Sequence, residues 1–337
     1  MAIGRRIILG SALTAPFIRT ARADPIKLRA SVDTGPGHGR TISIADFLKK
    51  LEAASQGEIT CQLFDSGQLF ADRDVIEALV VGRVEMAAPG TWLVSVYVPE
   101  ADMAQLPVFY GQPADIVHRA TDGIPGHMVN DQVSKKLRVA IPGRWIDLGF
   151  TNWYSTRRPL NTLADLKGLK IRNSGGFAQA WRARFFGGVP VMIAWPDVPV
   201  ALSQGTFDAL QTTGESCVSA RLWDAGLRFG LIDRQFMGSY IPMFSESFWA
   251  ALKPGLKTLV TDLWAANIGT YRANIAGAQG KADADLQDHR VKLAYVQPEE
   301  LAAERKPMVA DQAAVAAEMK ISPEILDRIN EAITAVN

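Results

Sequence analysis

A chain of 337 residues exceeds the size at which a single hydrophobic core keeps growing, so two lobes are the default. An apolar fraction of 48% with 21% charged residues excludes a disordered chain, and two cysteines exclude a disulfide-stapled fold. A formal net charge of +1 excludes the strongly basic face that nucleic acid requires.

Residues 1–23 read as a targeting segment. Arg5 and Arg6 precede a short apolar run at 7–17, and Ala21, Arg22 and Ala23 make a small-x-small cleavage pattern before Asp24. The arginine pair fits twin-arginine export, and its incomplete flanks leave the ordinary Sec route open. The run is too short to span a bilayer, and no later stretch is long and apolar enough to do so. Removing this segment, with its four arginines and no acids, takes the formal charge from +1 to −3. The mature chain is therefore expected to be exported, cleaved after Ala23 and not inserted in a membrane.

Residues 27–31 begin a strand. A glycine-rich loop at 34–39 leads to a helix with Ile44, Phe47, Leu48 and Leu51 at helical spacing, closed by Gly57. A strand at 58–64 follows, and Cys61 within it reads, like Cys217, as a buried small hydrophobe. The next helix starts near Asp72 or Asp74, with Glu77 placed for a capping box, and stops at Gly82. Residues 84–88 form a strand ending at Pro89, Gly90, Thr91 and Trp92. This strand–loop–helix repeat implies a parallel sheet with flanking helices. An apolar connection at 106–109, a helix opened by Pro113 and a strand at 136–141 complete the first lobe, with a candidate hinge at 144–150.

The second lobe contains the stretch LADLKGLKIRNSGGF at 163–177. It reads as a helical turn ended by Gly168, a short strand, Arg172 where the strand runs out, a loop of small residues and a new helix at Phe177. Ligands bind at the carboxyl ends of strands in open α/β sheets, and a guanidinium matches a carboxylate with a planar fork. Arg172 thus reads either as an anion anchor or as a helix-capping or surface-paired arginine. A helix to 186, a strand at 189–193, a helix over Val198, Ala201 and Leu202, and a strand at 206–210 follow. A polar loop at 211–216 precedes a helix around Leu222 and Trp223, and 236–244 looks like a returning strand. From Pro254 to about Gln287 a helical pattern is long enough to lie across both lobes. A strand at 291–296 and helices at 301–319 and 323–336 finish the chain. The expected class is α/β, with 24–146 plus about 236–275 in one lobe and 147–235 plus about 276–337 in the other.

No dinucleotide, P-loop, nucleophile-elbow or zincin motif occurs, and His38, His118, His127 and His289 lack metal spacing. No catalytic residue, metal or cofactor is read from the chain, which favours a binding protein over an enzyme.

The ordered set ADLKGLKIR (164–172), GGVPVM (187–192) and ALSQGTFD (201–208) resembles the substrate-binding proteins of tripartite ATP-independent periplasmic (TRAP) transporters, the DctP family. GQL (67–69), IEALVVGRVEM (76–86) and YIPM (240–243) with Phe248 and Trp249 add to the resemblance, which covers nearly the whole mature chain. It implies a two-lobed periplasmic binding fold whose hinged cleft closes on a small organic acid. It also implies a periplasmic location and delivery to an ion-gradient-driven membrane permease of a small and a large subunit. The arginine matching Arg172 forms the carboxylate salt bridge in that family. Asp197, Pro199 and the run Asp208 to Gln211 depart from the family pattern. Further contact candidates at strand ends are His38, Gln68, Glu77, Trp92, Trp145, Asn152, Asn173, Phe177, Thr212, Thr213, Glu215, Phe236 and Tyr240. Arg157 or Arg158 offers a second cation. The rival reading is a secreted α/β enzyme acting on a small carboxylate; a third is delivery of the ligand to a membrane sensor.

Overall fold

The computed structural model describes residues 24–71, 73–234 and 236–334; the expected targeting segment and a helix start at Asp72 lie outside them. Strand β1 (Ile26–Ser31) leads into α1 (Gly39–Ala54), β2 (Ile59–Phe64), α2 (Val75–Val80), β3 (Met86–Ala87) and α3 (Thr91–Val94). A 3-10 segment, Pro99–Gln105, precedes α4 (Ala114–Thr121), α5 (Ile124–Leu137) and β4 (Val139–Ala140). Two consecutive strands, β5 (Ile146–Phe150) and β6 (Asn152–Ser155), then cross from one lobe to the other. The second lobe continues with β7 (Lys170–Asn173), α6 (Phe177–Phe185), β8 (Val189–Met192), α7 (Val198–Ser203), β9 (Ala209–Thr212), α8 (Gly214–Ser219) and β10 (Phe229–Ile232). The chain returns through β11 (Met237–Tyr240), β12 (Met243–Ser245) and α9 (Glu246–Ala251). It ends with α10 (Pro254–Asp288), β13 (Lys292–Tyr295), α11 (Pro298–Ala310), α12 (Gln312–Glu318) and α13 (Pro323–Thr334).

The first lobe is a five-stranded sheet in the order β2-β1-β3-β12-β4, and the second a six-stranded sheet in the order β13-β10-β6-β9-β7-β8. The crossing is antiparallel twice over: β5 pairs β11, and β6 pairs β10. Period-two alternation clothes both faces of the second sheet. Tyr154 and Leu210 join Val198, Leu202 and Cys217 on one face. Trp153 and Ala209 join Leu163, Leu166, Ile171 and Ala183 on the other.

Several boundaries differ from those expected. The 3-10 turn at Leu163–Leu166 carries a true capping box between Thr162 and Asp165, whereas Asp74 caps nothing with its side chain. Helix α5 runs through Leu137 and ends on a left-handed Arg138, so the expected strand at 136–141 shrinks to two residues. The strand expected at 206–210 lies at Ala209–Thr212, where it pairs β6 and β7. Its end drops directly into α8, so Leu222 and Trp223 fall in turns. The return at 236–244 is two strands, and 301–319 is two helices that meet at Asp311. Cys61 is only partly buried; both thiols are free.

Helix α10 ties the lobes together. Leu256, Val260, Trp264, Ile268, Tyr271 and Ile275 pack in the first core, while Leu286 packs in the second. Its 35 residues span about 50 Å. Helix α13 packs on α4 and α5, and α11 and α12 pack on the 3-10 turn Pro107–Phe109. Val315, Ile321, Ile325 and Ile329 belong to the first core. The expected placement of 276–337 in the second lobe therefore fails for α11 to α13; their apolar stripes have no free face on the second sheet.

Arg272 of α10 anchors this arrangement. It donates to both Asp122 oxygens at 2.6 and 2.8 Å and to the Trp145 carbonyl at 2.9 Å, with Asp147 at 3.4 Å. Its side chain is 9% exposed. Removing one partner of a buried ion pair strands the other. Arg272→Met should lower the unfolding free energy by about 3 kcal/mol in urea titration; a loss below about 1 kcal/mol would mean that the pair is idle.

Candidate functional site

The lobes meet at the carboxyl edge of the second sheet. Arg172 lies inside β7 rather than beyond it, and its side chain is wholly buried. Nε and Nη2 donate to the Ile193 carbonyl at 2.9 and 2.7 Å, and the guanidinium carbon stands 5.4 Å from the Trp195 ring centre. Residues 172, 210, 212, 152 and 154 share one face of the sheet by alternation and pairing register. Trp195 lines a groove of about 200 Å3 whose other wall includes Asp33, Gly35 and Ser66 of the first lobe. That groove connects solvent to the aromatic ring beside Arg172.

A clasp joins the lobes next to this face. Thr213 caps α8 by accepting from the Ser216 amide at 3.1 Å. Glu215 accepts from the Gly39 amide at 2.9 Å, at the amino end of α1, where the helix dipole favours a negative charge. His38 accepts from the Arg40 amide on Nδ1, which leaves the proton on Nε2, 3.1 Å from the Ser216 hydroxyl and 3.4 Å from Glu215. Burial pushes the Glu215 carboxyl up to about 7 and the His38 imidazole down to about 3. Burial pushes the Cys217 thiol well above its usual range, with Glu215 adding to the shift and Arg172 opposing it.

Of the expected residues, His38, Trp92, Arg172, Asn173, Thr212, Thr213, Glu215, Phe236 and Tyr240 are all buried, and contacts of His38 with Glu215 and of His38 and Trp92 with Tyr240 gather part of this set at the junction of the lobes. Trp92 leans on Tyr240, with ring centres 5.6 Å apart. Asn173 serves the loop behind Arg172, accepting from the Gly175 amide at 3.0 Å. Phe177 is half-buried at the start of α6 and packs on the first core. Gln68 and Glu77 are exposed and take no part. Trp145 is a core residue whose Nε1 donates to Asn130 at 2.8 Å, not a cleft wall. The Asn152 side-chain oxygen Oδ1 accepts from the Asp233 and Arg234 amides at 3.2 and 2.9 Å, so it pins the crossing strands. Arg158 holds the Asp165 and Lys167 carbonyls, and Arg157 is an exposed partner of Asp208.

The second and third buried cations are residues that strand-end reasoning passes over. Arg40 bonds the Ala88 carbonyl at 3.1 Å, pairs with Asp33 and lies 4.1 Å from the Tyr240 ring centre. Arg182 lies 3.9 Å from the Phe236 ring centre and bonds Gln105 at 2.9 Å and Gln211 at 3.3 Å. The signal for both was helical spacing. Arg40 continues the buried stripe of Ile44, Phe47, Leu48 and Leu51, and Arg182 sits in the stripe of Ala178, Gln179 and Ala183.

Residues 31–318 match the profile of the bacterial extracellular solute-binding proteins, family 7 (DctP). The chain belongs to this family. It is 25% identical over 254 residues to the C4-dicarboxylate-binding periplasmic protein of Rhodobacter capsulatus, covering 75% of this chain and 74% of that one. It is 24% identical over 210 residues to the sialic acid-binding periplasmic protein of Vibrio cholerae, 62% of this chain and 64% of the relative. A solute-binding protein of Verminephrobacter eiseniae is 27% identical over 64% of each chain. The chain thus spans roughly two thirds of these relatives' lengths. Its fold matches the sugar acid-binding protein of Advenella mimigardefordensis in complex with galactonate, with a TM-score of 0.86 at 18% identity over 93% of this chain and 99% of that one. It also matches a TRAP periplasmic solute-binding protein of Desulfovibrio salexigens with bound orotic acid, with a TM-score of 0.85 at 17% identity over 93% and 100% of the two chains. In this DctP chain the expected α/β two-lobed class holds, and the expected enzyme alternative finds no support in the family.

The clasp makes a pH prediction for this family member. Between pH 4.5 and 6.5 the folded form keeps a proton on Glu215 and the unfolded form keeps one on His38, so the pair contributes almost no slope. In His38→Gln only the raised Glu215 remains, whose stabilisation is full below pH 4.5 and lost as pH rises to about 7. Relative to wild type, the variant's melting temperature should therefore be higher at pH 5 than at pH 7. Equal differences at both pH values would remove the clasp from the account.

Proposed function

We propose that this protein is an exported receptor that captures a small organic acid between its lobes, with Arg172 as the carboxylate anchor. The observation that carries the reading is a guanidinium with no exposure at the carboxyl edge of a parallel β7–β8 pair, beside the Trp195 ring that lines a groove between the lobes. A buried cation favours a bound anion strongly, because water no longer competes. The solved relatives include proteins of Sulfurospirillum deleyianum with bound succinate and Pseudomonas putida with bound D-glucuronate, both carboxylates.

The working cycle follows from the double crossing. Segments 144–151 and 233–241 act as the hinge, and α10 guides the two bodies. Open lobes expose Arg172, and a ligand that touches both lobes stabilises the closed form by its differential affinity. Delivery is to an ion-gradient-driven permease of a small and a large membrane subunit. The mature chain begins at Asp24 in the periplasm. No helix among the described residues is long and apolar enough to cross a membrane.

Calorimetry with a panel of organic acids tests the anchor. Arg172→Ala should weaken binding of the best acid at least about tenfold, or roughly 1.4 kcal/mol. Arg172→Lys should also bind poorly, because a point charge cannot reproduce the fork. Unchanged affinity in Arg172→Ala would end the assignment.

A further inference from the structure

On the opposite face of the same sheet edge, Arg182 is 1% exposed and makes its two hydrogen bonds through Nη2 alone. Its Nε and Nη1 have no hydrogen-bond partner among the described residues. Burial lowers its pKa to about 9, against the pull of Asp102 and Asp233. Asp102 uses one oxygen on Thr91 and Gln105, at 3.1 and 2.7 Å, while its Oδ2 is buried without a partner. The Trp92 indole N–H is buried and unpartnered as well.

Gln105 links the two charges, donating to Asp102 and accepting from Arg182, and Asp102 Oδ2 lies against the loop before α6. A Cβ placed on Gly176 would stand 3.1 Å from Asp102 Oδ2 and 3.1 Å from the Trp92 Cβ. Gly176 has φ +76°, which also calls for glycine. Trp92, Asp102 and Gln105 come from the first lobe, and Gly176, Arg182 and Gln211 from the second. Leu210 stands opposite Arg172 in the β7–β9 pairing, and the next residue, Gln211, holds Arg182. The two arginines therefore flank the same edge from opposite faces.

We propose that Arg182, Asp102 and the Trp92 indole N–H form a second ligand subsite, which receives the end of the bound acid remote from Arg172 and is built for hydroxyl groups rather than a second carboxylate. The inference rests on the reading of Arg172 as the carboxylate anchor. A hydroxyl can accept from the Arg182 N–H groups and donate to Asp102 Oδ2 at once. A second carboxylate cannot donate, and would face Asp102 and Asp233 around one cation, a set whose formal charge is −1. An alkyl end would leave every one of these polar groups unsatisfied, at a cost comparable to each lost hydrogen bond.

The test uses calorimetry on the mature chain with acids of four, five and six carbons, each length as the polyhydroxy monoacid, the polyhydroxy diacid and the unsubstituted monoacid. At the best length the hydroxylated monoacid should bind at least about tenfold tighter than the other two. Arg182→Gln should remove most of that preference while changing the unsubstituted acid less than about threefold. Asp102→Asn, which keeps shape and loses charge, should narrow the gap to the diacid about tenfold. A diacid or alkyl acid that binds as tightly as the hydroxylated one overturns the subsite, as does an Arg182→Gln effect equal for all acids. Binding that depends on Arg172 but shows no such preference refutes this inference alone. Failure of every acid to bind the folded protein refutes the anchor and the subsite together.

Discussion

Two guanidinium groups buried at the end of one sheet are the constraint on which the rest of this structure depends. Arg172 and Arg182 show no more than 1% exposure each. Removing such a charge from water costs several kcal/mol unless fixed dipoles or counter-charges replace the solvent. Here the replacement comes from carbonyls and amides positioned by both lobes: Ile193 for Arg172, and Gln105 with Gln211 for Arg182. Arg182 is dry because residues of both lobes meet on it, and Arg172 lies against the Ile193 carbonyl and the Trp195 ring at the interlobe groove. Charge burial and lobe contact are thus one event, which is how a binding site becomes coupled to a shape.

The crossing strands make that coupling mechanical. Asn152 holds the backbone of Asp233 and Arg234, so the outgoing and returning chains are pinned where they pass. Arg272 fixes α10 to Asp122 and to the Trp145 carbonyl just before the crossing. The bodies on either side are well packed, and they meet through the clasp of His38 with Glu215 and Ser216, the contact between Arg182 and Gln105, and apolar packing of α6 on the first core. Opening therefore exchanges these polar contacts for water at small net expense and uncovers the apolar side of α6, which sets its cost.

Periodicity made much of this readable in advance. The stripes of α1 and α10 and the alternation of β1 and β2 follow from spacing alone, and the run at 163–177 placed Arg172 at a strand edge. What escaped has physical reasons. Arg40 and Arg182 occupy positions in otherwise buried helical stripes, and a search that counts only apolar residues skips a charged member whose partners come from elsewhere in the chain. Asn152 and Trp145 stand at strand ends yet bind the protein itself, since sequence does not show which direction already has a partner. The end of β9 moved from 210 to 212 because pairing with β6 and β7 sets it, and pairing is a tertiary fact. The C-terminal helices join the first lobe for a similar reason: an amphipathic stripe specifies that a face is covered, not by what.

The measurement that bears most directly on the central claim is small-angle X-ray scattering of the mature chain, with and without a saturating amount of its best-binding acid. The account predicts a fall in radius of gyration on addition of the acid, as open lobes close over Arg172, and no fall in Arg172→Ala at the same concentration. An unchanged radius of gyration in the wild-type protein at saturation would contradict it.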